Sequence, residues 1–206
     1  FAHCYAAFAI DELPEAEREA FHARLRPQLL KVQGADGSSF DFLGRRIPFV
    51  SGTTGLSDDQ RLALADAGRS IPVLWAANFS LGVALLRRMT AVAATVLPAE
   101  FDAEIIEAHH KFKQDSPSGT ALALGRAIAQ ARRVDFDSVA RYGRAGVTGP
   151  RRDGEIGFSV VRAADIVGEH TVLFAAPGER IELTHRAGSR AVFAHGAVRA
   201  AIWLAR

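Results

Sequence analysis

Cysteine is almost absent from this chain of 206 residues, and Cys4 is the only one. No internal disulfide and no multi-cysteine metal site can form, so a reducing, cytoplasmic setting is expected. Long apolar runs are missing too: none approaches the roughly 20 residues that span a bilayer, and no membrane partner is expected. Residues 1–10 are apolar but carry no basic leader of the signal-peptide kind. Residue 1 is Phe rather than Met, which leaves a fragment, a processed chain or a misassigned start as the expectations. Neither sign of charge dominates, with a formal net charge of +2 and a pI of about 9.0. No Lys/Arg run stands out, so no nucleic-acid partner is expected. Repeats and low-complexity tracts are lacking as well. What remains is an ordinary globular composition, 49% hydrophobic and 23% charged, long enough for one large domain or two small ones.

Periodicity divides the chain into an α/β part and an α+β part. Asp11 to Val32 has Phe21, Leu25 and Leu29 at helical spacing, with Pro27 set to kink or end the helix. Residues 33–39 follow as a turn or linker. Ile47–Val50 fits a buried strand that ends at the loop Ser51-Gly-Thr-Thr-Gly55. Ser57-Asp-Asp-Gln60 matches a capping box opening a helix to about Ala67, stopped by Gly68. Ile71–Ala76 is a second apolar strand, giving the β-loop-α-β-loop unit of a parallel sheet. Its two loops follow strand C-terminal ends, where ligands of such sheets bind. Leu81 to Leu97 predicts a helix, and Ala103–Ala108 a strand. Glu155–Val161, His170–Phe174 and Arg180–His185 are β-rich runs without helices between them, which predicts an antiparallel or mixed sheet. A closing helix from about Arg190 to Leu204 carries Phe193, Ala197, Ala201 and Leu204 on one stripe.

The densest chemistry lies in Glu107-Ala-His-His-Lys-Phe-Lys-Gln-Asp-Ser-Pro-Ser-Gly-Thr-Ala121. Imidazole and ammonium groups can donate protons near neutral pH. The helix-patterned segment 121–130 begins at Pro117-Ser-Gly-Thr, and such a start offers N–H groups and a positive dipole end to an anion. Together they predict a site that holds a small anionic molecule while a proton moves. The bland alternative is a solvated basic loop before an ordinary capped helix. A metal site from His109, His110, Asp115 and His185 is disfavoured, because adjacent histidines point apart on a strand.

This stretch resembles the signature of the 4-hydroxy-tetrahydrodipicolinate (dihydrodipicolinate) reductase family. The resemblance takes in Gly52-Thr-Thr-Gly55, Ala76-Ala-Asn-Phe-Ser80 and Ile156-Gly-Phe158. It continues through Arg162–Thr171, Gly178–Glu182, Thr184-His185, Ser189-Arg190, Phe193-Ala194 and Gly196-Ala197, covering about residues 47–204 in the family's order. The family's opening glycine-rich turn has no counterpart in residues 1–46, whose glycines are Gly34, Gly37 and Gly44. Ala164 stands where the family commonly has glycine, a change expected to be tolerated.

The resemblance implies a partial Rossmann-like parallel-sheet domain for dinucleotide binding, residues 1–79 and 190–206. It implies a mixed-sheet α+β domain for substrate binding and tetramerisation over residues 80–189. The implied activity is NADH- or NADPH-dependent reduction of a cyclic imine dicarboxylate on the diaminopimelate route to lysine, by a homotetramer. His109 and Lys113 match the family's proton-handling pair, and an extended chain there would put both side chains on one face. His110 matches a substrate-binding histidine. Gly119 and Thr120 match the carboxylate grip, and Ser118 shapes that turn. Gly52, Thr53 and Thr54, with Ala76, Ala77, Asn78 and Phe79, would line the nicotinamide side, while Arg190 and Phe193 approach the cofactor from the C-terminal segment. Asp165, Glu169 and His170 are expected to be structural or interfacial. Two other readings compete: a non-catalytic relative that binds dicarboxylates or only oligomerises, and an aspartate dehydrogenase-like oxidoreductase. The Pro-Ser-Gly-Thr element argues against the latter.

Overall fold

Among the described residues, two short strands and a mixed five-stranded sheet organise the fold. The computed structural model describes residues 48–53 and 56–204. The helix expected over Asp11–Val32 and the residues Thr54 and Gly55 lie outside that range. The chain divides into two compact units, residues 1–80 with 190–206, and residues 81–189.

In the first unit, β1 (Phe49–Ser51) and β2 (Val73–Trp75) pair in parallel, Phe49 opposite Val73 and Ser51 opposite Trp75. Between them runs α1 (Asp58–Ala67), started by the expected capping box. Ser57 Oγ accepts from the Gln60 N–H at 3.3 Å, and Gln60 Oε1 accepts from the Ser57 N–H at 2.9 Å. Gly68 ends the helix in right-handed geometry, with its N–H bonded back to Leu64 and Asp66 carbonyls. The closing helix of the chain, Ala191–Leu204, belongs to this unit. It buries Ala194 and Gly196 rather than the Phe193–Ala197–Ala201 stripe expected from periodicity. The reason is close approach: a Cβ on Gly196 would lie 1.8 Å from the Phe79 carbonyl oxygen. Small residues therefore set the contact face.

The second unit begins with α2 (Leu81–Val96), β3 (Asp102–His109) and α3 (Gly119–Arg132). A one-turn helix, α4 (Phe136–Val139), and a short strand, β4 (Ala140–Tyr142), follow. Neither shows in the periodicity, since three or four residues cannot display a repeat. Then come β5 (Ile156–Arg162), β6 (Gly168–Ala176) and β7 (Glu179–Ala187), the last two longer than their expected runs. The closing helix named above is α5. The sheet order is β4-β5-β3-β6-β7. β4, β5 and β3 are parallel, while β6 and β7 run antiparallel to their neighbours. The Pro177-Gly178 turn joins β6 to β7, and Gly178 takes a φ of 87° that a side chain would resist.

Both long helices cover one face of this sheet. Leu86 and Ala94 of α2 and Ala121, Leu124, Ile128 and Ala129 of α3 pack on Ala103, Ile105, Ile156, Phe158, Val172 and Phe174. Burying the Leu, Ile, Val and Phe side chains among them supplies about 1.5–3 kcal/mol each. The core therefore holds β3 rigidly at the sheet's centre, and β3 delivers the site residues at its end.

Candidate active site

Strand alternation puts Ala103, Ile105 and Glu107 on the helix-covered face, each no more than 1% exposed. A carboxylate on that apolar face needs partners, because an unpaired buried charge costs several kcal/mol. The register supplies them. Glu107 stands opposite His170 of β6, and His109 stands opposite Arg162 of β5. Arg162 grips Glu107 with two guanidinium bonds of 2.9 Å, Nη1 to Oε2 and Nη2 to Oε1. His109 Nδ1 lies 2.5 Å from Oε2, and the Ser118 N–H donates to Oε1 at 3.0 Å. An ionised carboxylate only accepts, so Nδ1 is the donor.

Burial by itself would raise the Glu107 carboxyl. The bonds from His109, Arg162 and the Ser118 N–H outweigh it and bring the group down to about 2. His170 shifts the other way for an imidazole: burial, with the neighbouring His109 next in weight, lowers it to about 4. It is therefore neutral at pH 7. Its Nε2 shares a 3.0 Å hydrogen bond with Ser118 Oγ, and its ring meets the His109 ring edge-on at 5.1 Å.

Ser118 is the N-cap of α3, its Oγ accepting from the Ala121 N–H at 3.1 Å. Its side chain and its N–H are both committed to the protein, so what it offers a ligand is the shape of the turn. Gly119 and Thr120 form the first helical positions after it, and a Cβ on Gly119 would meet nothing within 4 Å. That is open space at a positive helix end.

Lys113 does not continue the strand. β3 ends at His109, the chain turns, and the Lys113 N–H donates to the His110 carbonyl at 3.1 Å. The expectation that alternation sets His109 and Lys113 on one face is thus corrected, since a turn rather than the pleat carries Lys113. Its ammonium bonds Asp115 at 2.8 Å, and its charge is among those that depress His170. The Asp115 carbonyl accepts from Arg162 at 2.7 Å, tying the turn to β5. The half-buried His110 ring lies 6.5 Å from the Phe112 ring. Backbone bonds from Ala163 N–H to His109 O (2.9 Å) and from Lys111 N–H to Ala164 O (3.2 Å) lay the 163–167 loop alongside. The second unit thus ties His109 and the start of α3 (Ser118, Gly119, Thr120) to one carboxylate, with His110 and Lys113 on the turn that follows β3.

The first unit gathers the other set. Gly52 and Thr53 follow β1, and Ala76, Ala77, Asn78 and Phe79 follow β2, at the C-terminal ends of adjacent parallel strands. Ser51 Oγ accepts from the Thr53 N–H at 3.3 Å, and Trp75 Nε1 donates to the Thr53 carbonyl at 2.8 Å. Asn78 Oδ1 accepts from the Ser80 N–H at 2.8 Å, shaping the second loop. A Cβ on Gly52 would touch the Phe79 ring at 3.4 Å, so the two loops lean together. Arg190 precedes α5 and Phe193 lies in its first turn, the Phe193 N–H donating to the Arg190 carbonyl at 3.0 Å.

Family models match both parts of the chain: dihydrodipicolinate reductase, C-terminus, over residues 82–206, and dihydrodipicolinate reductase, N-terminus, over residues 41–79. The chain belongs to the dihydrodipicolinate reductase family. It is 53% identical over 161 residues to the 4-hydroxy-tetrahydrodipicolinate reductase of Laribacter hongkongensis, covering 78% of this chain and 60% of that relative. The Hahella chejuensis reductase is 55% identical over 155 residues, covering 75% of this chain and 58% of its own length. The chain thus spans less than two thirds of the length of these curated relatives. Among solved structures, the dipicolinate-bound dihydrodipicolinate reductase from Paenisporosarcina sp. TG-14 matches at a TM-score of 0.61 and 28% identity. That match covers 80% of this chain and 63% of the other.

For this dihydrodipicolinate reductase family member, the sequence assigned no role at the site to Glu107, Arg162 or His170. His170, expected to be structural or interfacial, is 3% exposed and bonded to the cap of α3. A signal existed for Glu107, because a carboxylate two residues before a strand histidine shares its face. Arg162 and His170 needed the strand register, which only the fold supplies.

Proposed function

We propose that this chain acts as a 4-hydroxy-tetrahydrodipicolinate reductase in diaminopimelate and lysine biosynthesis, using NADH or NADPH in the cytoplasm. One observation carries the reading: His109 is locked by its Nδ1 beside the open N-terminus of α3. The ligand named for the Paenisporosarcina relative, dipicolinate, is a cyclic dicarboxylate and supports the same substrate class here.

The described part of the first unit fits the nicotinamide side of a cofactor. Its small residues Gly52, Ala76 and Ala77 line two loops at parallel strand ends, where such ligands bind. A bound reduced nicotinamide would supply hydride to a ring carbon of the substrate, whose hydroxyl leaves as water. The protein's task is then to hold the diacid and to quench the negative charge that hydride leaves on the conjugated ring. One carboxylate is assigned to Gly119 and Thr120 at the helix N-terminus, the other to His110. With Nδ1 engaged, His109 exchanges its proton through Nε2. Lys113 adds a cation beside it, held by Asp115. Assembly as a homotetramer through the sheet face that carries no helix completes the proposal.

Following nicotinamide fluorescence while NADH or NADPH is titrated into the full chain tests cofactor binding, and turnover of substrate tests the reaction. His109→Ala and Lys113→Ala are each expected to lower turnover by roughly 10²–10⁴-fold with the fold retained. Near-normal rates in the double variant would remove the assigned proton path. Dicarboxylate binding without cofactor binding would instead mark a non-catalytic relative.

A further inference from the structure

Both oxygens of Glu107 are fully committed within the second unit. Its side chain is 0% exposed, yet the carboxylate is ionised. An ionised carboxylate offers about four lone-pair sites. Here Oε1 takes the Ser118 N–H and Arg162 Nη2, while Oε2 takes His109 Nδ1 and Arg162 Nη1. Two donors on each oxygen leave no capacity for a ligand, so whatever Glu107 does for chemistry it does through these neighbours. The neighbours come from three elements. His109 ends β3, Arg162 ends β5, and Ser118 starts α3. Arg162 extends the reach to the Asp115 carbonyl, and Asp115 in turn holds Lys113.

We infer that Glu107 is the positioning residue of this site, fixing the ring and tautomer of His109. The inference rests on the reading of the site as a proton-delivering dicarboxylate pocket. A carboxylate at one imidazole nitrogen selects the tautomer in which the other nitrogen exchanges protons. The far side of the ring is bounded as well, because a Cβ on Gly168 would lie 3.1 Å from His109 Nε2. Glu107 thus grips Nδ1 while a glycine leaves just enough room at Nε2.

Charge, not volume, is what the position demands. A glutamine has nearly the same shape but presents one NH₂ donor in place of an acceptor oxygen. Turned either way, that NH₂ faces two donors: Arg162 with His109, or Arg162 with the Ser118 N–H. In one rotamer the NH₂ meets His109 Nδ1, so the ring no longer holds a single tautomer.

The test uses the full chain with ¹⁵N-labelled histidine and long-range ¹H–¹⁵N spectra, His109 being assigned by its disappearance in His109→Ala. In wild type the neutral ring is expected to carry its proton on Nδ1, and in Glu107→Gln to become a tautomer mixture. Turnover of Glu107→Gln is expected to fall roughly 100-fold with KM changing less than about threefold. In the His109→Ala background the same substitution should cost less than about threefold more, since its effect runs through the imidazole. A wild-type ring protonated on Nε2, or losses that multiply in the double variant, would overturn the inference. Should Glu107→Gln fail to fold, the wild-type tautomer still decides. If wild type turns nothing over, the functional reading fails by itself, and the spectra continue to judge Glu107.

Discussion

Ser118 shows how a single small side chain can connect a helix to a proton site. Its Oγ caps α3 and bonds His170, and its N–H bonds Glu107. The groups around it give the second unit an acid-sensitive stability. His170 is lowered from 6.5 to about 4, so the unfolded chain takes up a proton that the folded one refuses. Its contribution is complete above pH 6.5 and is lost as pH falls toward 4. Glu107 is lowered from 4.5 to about 2, so its contribution is complete above pH 4.5 and is lost as pH falls toward 2. Each amounts to on the order of 3 kcal/mol. His170→Gln is expected to flatten the pH dependence of the urea midpoint between pH 6.5 and 4 while leaving the steeper fall below it. An unchanged profile would show that His170 carries no such load.

Among the elements, the loop following β5 runs against β3 under strain. Ala164 holds a φ of 44°, left-handed backbone where a Cβ costs about 1–2 kcal/mol. It is retained where its carbonyl receives the Lys111 N–H at the mouth of the site. Ala164→Gly is expected to raise stability by about 1 kcal/mol in urea unfolding, and a lowered midpoint would contradict the strain. The helices and strands were largely legible, because apolar spacing, the Ser57 capping box and the Pro177-Gly178 turn each encode local geometry. β6 and β7 ran longer than their apolar cores, since they go on pairing at both ends, through Glu169 with Arg186 and Ala176 with Glu179. Lys113 was placed by an alternation that stops at His109, where the backbone turns. The His109–His110 pair and the start of α3 could be read from local sequence. The Glu107–Arg162–His170 cluster could not, because its members meet through register between strands over 50 residues apart along the chain.

At the scale of the whole molecule, the proposed function divides the work between the two units, cofactor loops at parallel strand ends in one and the proton and anion residues in the other. Among the described residues no helix is long and apolar enough to cross a membrane. The roughest competitor to the assigned site is an open apolar groove of about 430 Å³ between α2 and β7, lined by Leu85, Met89, Val92, Val96, Ile181 and Leu183. Arg88 is its one charged lining residue and could meet a single carboxylate, whereas the start of α3 has helix N–H groups with His110 close by in sequence. Titrating the isotopically labelled full chain with dipicolinate, with a reduced nicotinamide cofactor present, separates the two most directly. Saturable shifts concentrated at the Gly119 and Thr120 amides and the His109, His110 and Lys113 side chains are the expected result. Shifts confined to the α2–β7 groove, or none that saturate, would contradict it.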